Sequence, residues 1–310
     1  MPEEGRSMQV LITGLTGKTG RCFLSELMQR GTQGNCFRAL VRSSSDTRAI
    51  EESGLPIALC RGDLDSAEDL KRAMQGVDTV LHIAGVHKSL PVVQAALDAG
   101  ARWLILVHTT GIYSKYKQAG EAYRQIERQI EAMLEGTGVS LTLLRPTMIY
   151  GGPDDKNLSI FIRMVDRLRL FPVVSGGHFA LQPVHRKDLG RAYYDVLCHP
   201  ETTKGRNYDL SGAYPIDLID LLRIIADGLG KKTRFFSVPF FLAYGGAWLL
   251  YLLTLTRIDL REKVQRLVEP RAYGHEAAAR DFGYAPMDFE AGLRQEVAEC
   301  QRAWEEERRI

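Results

Sequence analysis

Three glycines stand at intervals of three residues in the segment VLITGLTGKTG: Gly14, Gly17 and Gly20. An apolar run precedes them and an amphipathic stretch follows, which predicts a strand, a tight turn and a helix. The first glycine lets the chain turn, the second lets backbone N–H groups approach a diphosphate, and the third lets helix and strand pack closely. The helix dipole also favours phosphate there. We therefore predict a dinucleotide site. Its other polar members are Thr16, Lys18 and Thr19.

The letters Gly17-Lys18-Thr19 also resemble the end of a nucleoside-triphosphate loop. That motif requires a glycine five residues before Gly17, where Ile12 stands. The spacing therefore excludes it.

The next predicted strand, CFRALVR, ends at Arg42. An NAD-selective site usually carries an acidic residue at this point, to hold the ribose hydroxyls. Arg42 could instead pair with a 2′-phosphate through its planar guanidinium, so NADP is favoured over NAD. An exposed arginine at a strand end is the alternative interpretation.

The elements that position these residues alternate between short apolar runs and helical periodicity. Strands are predicted at MQVLITG, CFRALVR, PIALC, TVLHIAG and WLILVHT, with helices at 19–30, 47–52, 67–74 and 91–99. A helix at 121–134 and the strand SLTLLRP follow. Parallel neighbours need such crossovers, so we predict an α/β fold, a Rossmann-type doubly wound parallel sheet. Residues 8–150 would form this core, and residues 151–310 a smaller, partly interleaved substrate lobe.

Composition excludes several classes of protein. The chain has 310 residues, of which 45% are hydrophobic and 25% charged, with a net charge of +2. This charge is too small for a nucleic-acid-binding surface. Five scattered cysteines without a CxxC pair predict reduced thiols, and the acidic N-terminus lacks the features of a secretory signal, so we expect a cytoplasmic protein. Asp154 and Asp155 have no partners at metal-ligand spacing, and no metal site is expected.

Residues 235–256 form an uncharged run, FFSVPFFLAYGGAWLLYLLTLT. Its length approaches that of a membrane span, but Pro239 and the pair Gly245-Gly246 interrupt it. A buried or substrate-covering helix, peripheral membrane contact and an apolar protein or oligomer interface are the other interpretations.

The glycine turn, Arg42, the pair Asp63-Leu64 and the run HIAG at 82–85 occur in the order typical of a known family. The chain resembles the extended or atypical short-chain dehydrogenases/reductases, especially the NAD(P)-dependent epimerase/dehydratase and NmrA-like branches. The resemblance runs from Gln9 to the segment FGYAPMDFEAGL. It implies that Asp63 and Leu64 border the adenine and that the segment 144–151, which includes Pro146, closes over the nicotinamide. It also implies that Ile83, Ala84 and Gly85 line the site of the cofactor's ribose and diphosphate.

The family's catalytic set is a Ser or Thr after a strand, and a Tyr followed four residues later by a Lys. The resemblance assigns Thr109 and Thr110 to the first position and Tyr123 to the second, whereas Glu127 occupies the Lys position. A lysine lowers the pKa of the tyrosine, so that it can exchange a proton with the substrate; a carboxylate would raise this pKa.

Nearby residues offer alternatives. Tyr113 and Lys117 are also four apart, Tyr116 competes with them, and Lys115 or Lys117 could supply the missing ammonium. His82 and His185 are interpreted as structural, and Asp188 as the cap of the helix that follows it.

Two functions follow. The first is an NADP-dependent oxidoreductase or epimerase/dehydratase-type enzyme, in which hydride transfer acts on a small or moderately apolar carbonyl or alcohol substrate. The second is a non-catalytic NAD(P)-binding redox sensor or assembly and scaffold protein, which Glu127 favours.

Overall fold

The computed structural model describes residues 7–116, 118–254, 257 and 259–309. The first half contains β1 (Gln9–Thr13), α1 (Lys18–Arg30), β2 (Cys36–Val41), α2 (Arg48–Glu51), β3 (Ile57–Arg61), α3 (Ala67–Ala73), β4 (Thr79–His82), α4 (Ser89–Asp98), β5 (Trp103–Val107), α5 (Gln118–Leu134) and β6 (Ser140–Pro146). The second half contains β7 (Ile149–Tyr150), α6 (Leu158–Arg167), β8 (Leu170–Val174), β9 (Ala180–Leu181), β10 (Val184–His185), α7 (Arg186–Cys198), α8 (Pro200–Thr203), β11 (Asn207–Leu210), β12 (Ile216–Asp217), α9 (Leu218–Gly228), β13 (Arg234–Val238), α10 (Phe240–Leu253), α11 (Arg261–Leu267), α12 (Glu276–Phe282) and α13 (Phe289–Arg309).

Seven parallel strands form the central sheet, in the order β11-β6-β5-β4-β1-β2-β3. The predicted doubly wound sheet is confirmed. Strands β4 and β5 are buried along their whole length, because helices cover both faces of the sheet. The strand order reverses between β1 and β4, which creates a crevice beyond the carboxyl ends of these strands, where ligands bind in such sheets.

Two apolar layers cover the faces of this sheet. One contains α1 and α7 side chains such as Leu24, Leu27 and Tyr193. The other contains side chains of α3, α4 and α5, including Val92 and Ile130. The helical periodicity of the N-terminal half thus places one stripe of each helix against the sheet.

The chain leaves the sheet after β6 and returns to it with β11, which pairs with β6. A separate apolar core joins α6, β8, α9 and α13. Three two-stranded pairs, β7 with β10, β9 with β12 and β8 with β13, connect this second core to the sheet.

The helix α7 begins differently from the sequence-based expectation. His185 is its N-cap, and the Nδ1 of His185 accepts a hydrogen bond from the Lys187 N–H at 3.2 Å. The predicted cap, Asp188, lies inside the first turn, where its buried carboxylate accepts a bond from the Met287 N–H at 3.1 Å. The prediction for Asp188 was wrong, because this carboxylate ties α7 to a distant segment that sequence spacing does not reveal.

The uncharged run at 235–256 is divided between β13 and α10. Among the described residues, no helix combines the length and the apolar character that a membrane crossing requires.

Candidate active site

The glycine turn lies between β1 and α1, and Gly17 is the N-cap of α1. No side chain caps the free N–H groups of this helix end, and its first turn carries no acidic residue. A Cβ on Gly20 would lie 2.3 Å from the Gly14 carbonyl oxygen and 2.7 Å from the Leu15 Cα. Gly14 has φ +81°, which favours glycine. The turn therefore fits a dinucleotide: side chains leave its amides uncovered, and these amides are the donors that a diphosphate needs.

A cavity of about 780 Å³ opens in front of this turn. The loops after β1, β2, β3 and β4 line it. This is the position expected for a ligand crevice where the strand order of the sheet reverses. The predicted cofactor residues along its wall are Gly14, Thr16, Gly17, Lys18, Thr19, Arg42, Asp63, Leu64, Ile83 and Ala84. Three other predicted residues do not line this cavity: Gly20, Gly85 and Pro146.

The loop after β7 crosses the mouth of this cavity. The Lys18 ammonium bonds the Asp154 backbone carbonyl and lies 3.2 Å from Oδ2 of the same residue. On the opposite side, Arg42 is exposed, and it has no carboxylate within 4 Å among the described residues. An exposed cation thus stands at the strand end where a dinucleotide's adenosine ribose would lie.

A second cavity, of about 360 Å³, adjoins the first, since Ile149 and Asn157 line both. Thr109 and Thr110, which follow β5, line the second cavity. Thr109 Oγ1 accepts a bond from the Gly111 N–H at 3.0 Å, and Thr110 Oγ1 donates to the Pro146 carbonyl at 3.3 Å. A ligand in this cavity would meet two fixed hydroxyl groups beside the cofactor cleft.

Glu127 lies in neither cavity wall. Its side chain is buried, and it accepts bonds from His108 Nδ1 at 2.9 Å and from Arg145 Nε and Nη2 at 3.0 and 2.6 Å. Burial alone opposes ionisation, but the donors from His108 and Arg145 outweigh it and lower the pKa of Glu127 to about 2. The sequence suggested an unbalanced negative charge beside Tyr123. The structure shows instead that Arg145 pairs with the Glu127 carboxylate and neutralises it.

The tyrosines predicted from the sequence occupy different positions. Tyr123 packs its ring on His87, at 5.2 Å between ring centroids, and it lines neither cavity. Tyr113 donates a hydrogen bond to Asp209 at 3.1 Å, and burial together with this carboxylate raises the pKa of Tyr113 to about 12. Lys117, the proposed partner of Tyr113, lies outside the described residues.

The C-terminal segment contributes a wall of the second cavity that the sequence did not predict. Arg266, Arg271 and Tyr273 line it, and the Tyr273 ring contacts the Tyr113 ring at 5.2 Å between ring centroids, with the two planes tilted by 41°. The Nε atoms of Arg266 and Arg271 are buried and have no hydrogen-bond partner among the described residues. Burial and repulsion from Arg266 lower the pKa of Arg271 to about 10. Two cations with unmet donors therefore face one small cavity.

Comparison with known proteins agrees with this geometry. The profile of a family described as NAD(P)H-binding matches residues 14–200, which include the glycine turn and both threonines. The chain belongs to this family, within the extended short-chain dehydrogenases/reductases. Family membership supports NAD(P)-dependent reductase or epimerase-type chemistry, and a nicotinamide cofactor.

Two relatives of this NAD(P)H-binding protein cover almost its full length. The 4-hydroxy-2-methyl-3-oxo-4-farnesyl-3,4-dihydroquinoline-1-oxide ketoreductase of Stigmatella aurantiaca is 25% identical, over 90% of this chain and 92% of the relative. The 2-alkyl-3-oxoalkanoate reductase of Stenotrophomonas maltophilia is 24% identical, over 93% and 98%. The UDP-glucose 4-epimerase of Thermotoga maritima shares the fold, with a TM-score of 0.71 and 16% identity over 96% of this chain and 100% of the epimerase.

The family's motifs do not reach Arg266, Arg271 or Tyr273, because the matched region ends at residue 200. One sequence signal could have found them. The segment RLVEPRAY places two arginines and a tyrosine within eight residues, and a further eight residues separate it from the FGYAP segment included in the resemblance. Only the fold shows that this segment lies opposite Thr109 and Thr110.

Proposed function

We propose that this protein is an NADP-dependent reductase of an apolar 3-oxo acid. The observation that carries the proposal is the junction of two cavities, one beside the glycine turn and one holding two threonines and two partnerless arginine Nε atoms. A binding protein for the dinucleotide alone would need only the first cavity. The second cavity gives a substrate carbonyl a place next to the nicotinamide end of the cleft.

The arginines specify the acid. Arg266 lies 3.9 Å from the Glu262 carboxylate, whereas Arg271 has no carboxylate within 4 Å in the described part of the chain. A buried guanidinium group is costly unless an anion pairs with it, and a carboxylate matches its planar donors in a bidentate manner. The name of the S. maltophilia relative, a 2-alkyl-3-oxoalkanoate reductase, describes a carboxylate two bonds from a carbonyl carbon and an alkyl branch between them. The S. aurantiaca relative is named for a 3-oxo compound with a farnesyl chain. Apolar carbonyl compounds are thus common to both names.

Each residue has a role in this proposal. The bound nicotinamide supplies the hydride that reduces the carbonyl carbon. Arg266 and Arg271 hold the carboxylate, and the Thr109 hydroxyl donates a hydrogen bond to the carbonyl oxygen, since the single proton of the Thr110 hydroxyl is donated to the Pro146 carbonyl. Tyr273 is our candidate proton donor, because it is the tyrosine among the described lining residues and its hydroxyl has no hydrogen-bond partner there. Tyr123, to which the resemblance assigned this role, is the rival candidate.

The selectivity for NADP rests on Arg42. Its exposed guanidinium could form charge-assisted bonds with a 2′-phosphate, whereas the two hydroxyls of an NAD ribose would meet no carboxylate at this strand end.

Steady-state kinetics with NADPH and a 2-alkyl-3-oxo acid tests the proposal. We expect turnover, a large loss of kcat in Tyr273→Phe and a small effect of Tyr123→Phe. In Arg271→Gln we expect KM for the acid to rise at least tenfold, while KM for the methyl ester of the same acid changes little. Turnover that is lost in Tyr123→Phe and kept in Tyr273→Phe would reverse the assignment of the proton donor.

The alternative, a non-catalytic cofactor sensor, has one observation in its favour, since Tyr123 lines neither cavity. It predicts tight NADPH binding without reduction of any acid, ester or ketone in a broad panel. That outcome would overturn the reductase proposal.

A further inference from the structure

The helix α10 presents an apolar surface that the described part of the chain does not cover. Large side chains on it are strongly exposed, including Phe241 at 71%, Leu253 at 73% and Trp248 at 44%. Leu242, Leu249 and Leu252 are also about half exposed or more. Isolated exposed apolar residues are ordinary, but a contiguous set on one helix indicates a binding surface.

The exposed residues of α10 lie on one side of the helix. At about 100° per residue they fall within an arc of about 160°. This outer face consists of Phe241, Leu242, Gly245, Gly246, Trp248, Leu249, Leu252 and Leu253. It contains no polar side chain.

The opposite face holds the helix to the protein. Ala247 is buried there, and the Arg261 guanidinium of α11 lies 3.9 Å from the Tyr251 ring centroid. The outer face is thus a fixed part of the surface.

Positive charge flanks this helix on both sides. From Gly228 to residue 258 the sequence contains Lys231, Lys232, Arg234 and Arg257 and no acidic residue. Lys231 pairs with Asp166 at 3.0 Å, whereas Lys232, Arg234 and Arg257 are exposed and have no carboxylate within 4 Å among the described residues. The chain as a whole carries a net charge of only +2. Along the sequence, four cations thus flank the apolar helix within a stretch bounded by Asp227 and Asp259.

We propose that the outer face of α10 docks this protein onto an anionic lipid bilayer surface, with the helix lying in the interface. An apolar helix face with basic flanks matches a bilayer whose acyl region accepts the side chains and whose headgroups pair with the cations. At 14 residues the helix is about 21 Å long, which suits an interfacial position and is too short to cross the hydrocarbon core. A second copy of the chain fits less well, because two such faces in contact would bring the unpaired cations of both copies together.

Vesicle flotation of the full-length protein tests this proposal. We expect it to float with vesicles of phosphatidylcholine mixed with phosphatidylglycerol, and more weakly with phosphatidylcholine alone. The double variant Phe241→Asp/Leu253→Asp should lose flotation, and Lys232→Gln/Arg234→Gln should weaken it by about fivefold per cation removed. Met28→Asp is the matched control, because Met28 is an exposed apolar residue on α1 and should tolerate the change without effect.

Trp248 supplies a direct reading of the same contact. Its fluorescence should shift to shorter wavelength when mixed vesicles are added. Trp248→Phe should remove the shift, since Trp103 is buried and Trp304 packs against the second apolar core. Binding of NADPH, measured on each variant, shows that the fold is intact. This docking does not depend on the proposed reaction, so loss of turnover leaves the flotation result unchanged.

Two results would overturn the proposal. One is the absence of flotation with mixed vesicles, or flotation that Phe241→Asp/Leu253→Asp leaves intact. The other is a lipid-free dimer, seen in sedimentation velocity, that this double variant abolishes and that prevents vesicle binding.

Discussion

Replacement of Glu127 by Gln distinguishes a structural carboxylate from a catalytic one. The variant keeps the shape of the side chain but leaves the Arg145 guanidinium buried without a counter-charge. Removal of one partner of a buried ion pair costs roughly 3–5 kcal/mol. The pKa gives a similar magnitude, because a fall from 4.5 to about 2 corresponds to about 3 kcal/mol at about 1.4 kcal/mol per unit. We expect Glu127→Gln to lower the free energy of unfolding by about 3 kcal/mol at neutral pH.

The pH dependence has a defined sign. The folded pKa of Glu127 is below its unfolded value, so its contribution is complete above about pH 4.5 and declines as the pH falls towards 2. The difference in stability between wild type and Glu127→Gln should therefore fall below half of its neutral value by about pH 3. Urea unfolding followed by circular dichroism measures both quantities. Glu131→Gln, an exposed carboxylate one turn later on α5, should change stability by less than about 0.5 kcal/mol.

The turnover of Glu127→Gln is the measurement that can refute a purely structural role for Glu127. Molecules of Glu127→Gln that remain folded should reduce substrate within a few fold of the wild-type rate. A variant of wild-type stability that has lost turnover would show that the ion pair is unimportant and that Glu127 takes part in the chemistry.

Three further perturbations test other parts of the site. Arg42→Ala should weaken NADPH binding by about 10-fold to 100-fold, which corresponds to the loss of charge-assisted hydrogen bonds, and should leave NADH binding almost unchanged. If fluorescence titrations showed equal losses of affinity for NADPH and NADH, a role of Arg42 at the 2′-phosphate would be contradicted. Gly20→Ala should abolish cofactor binding, since its Cβ would collide with the Gly14 carbonyl, whereas Gly246→Ala, with open space around it, should not. Burial lowers the pKa of His82 to about 4, so this group's contribution to stability should decline as the pH falls from about 6.5 to 4, and unfolding curves of His82→Gln should lack that component.

The sequence predicted the central sheet well, because its signals are local. Six of its seven strands are short, mainly apolar runs, and the glycine turn marks where the first strand ends and the first helix begins. The seventh, β11, has the sequence NYDL, which lacks this signal, and it was not predicted. The same turn located one wall of the larger cavity, and Arg42, at the end of β2, lines it as well.

Local sequence signals could not predict the partners of Glu127. His108 and Arg145 stand 19 and 18 residues away along the chain, and they meet Glu127 only because β5 and β6 are adjacent and α5 packs beside them. The resemblance aligned Glu127 with a catalytic position, whereas its contacts are those of a buried ion pair. The position of a residue on a helix does not reveal which cation lies opposite it.

The second cavity and α10 were missed for related reasons. Arg266 and Arg271 come from the C-terminal lobe, where the segment RLVEPRAY does not reveal its partners, and only tertiary packing brings them to the cavity of Thr109. The apolar run at 235–256 left burial, membrane contact and protein contact open. Its division into a strand and a helix with one exposed face depends on what the second core leaves uncovered.

Isotope transfer tests the central claim most directly. NADPH deuterated at C4 of the nicotinamide is incubated with the protein and a 2-alkyl-3-oxo acid, and the product is analysed by mass spectrometry. Hydride delivery between the two adjoining cavities predicts a 3-hydroxy acid with one deuterium on C3. A saturating amount of bound NADPH with no deuterium in the acid would contradict it.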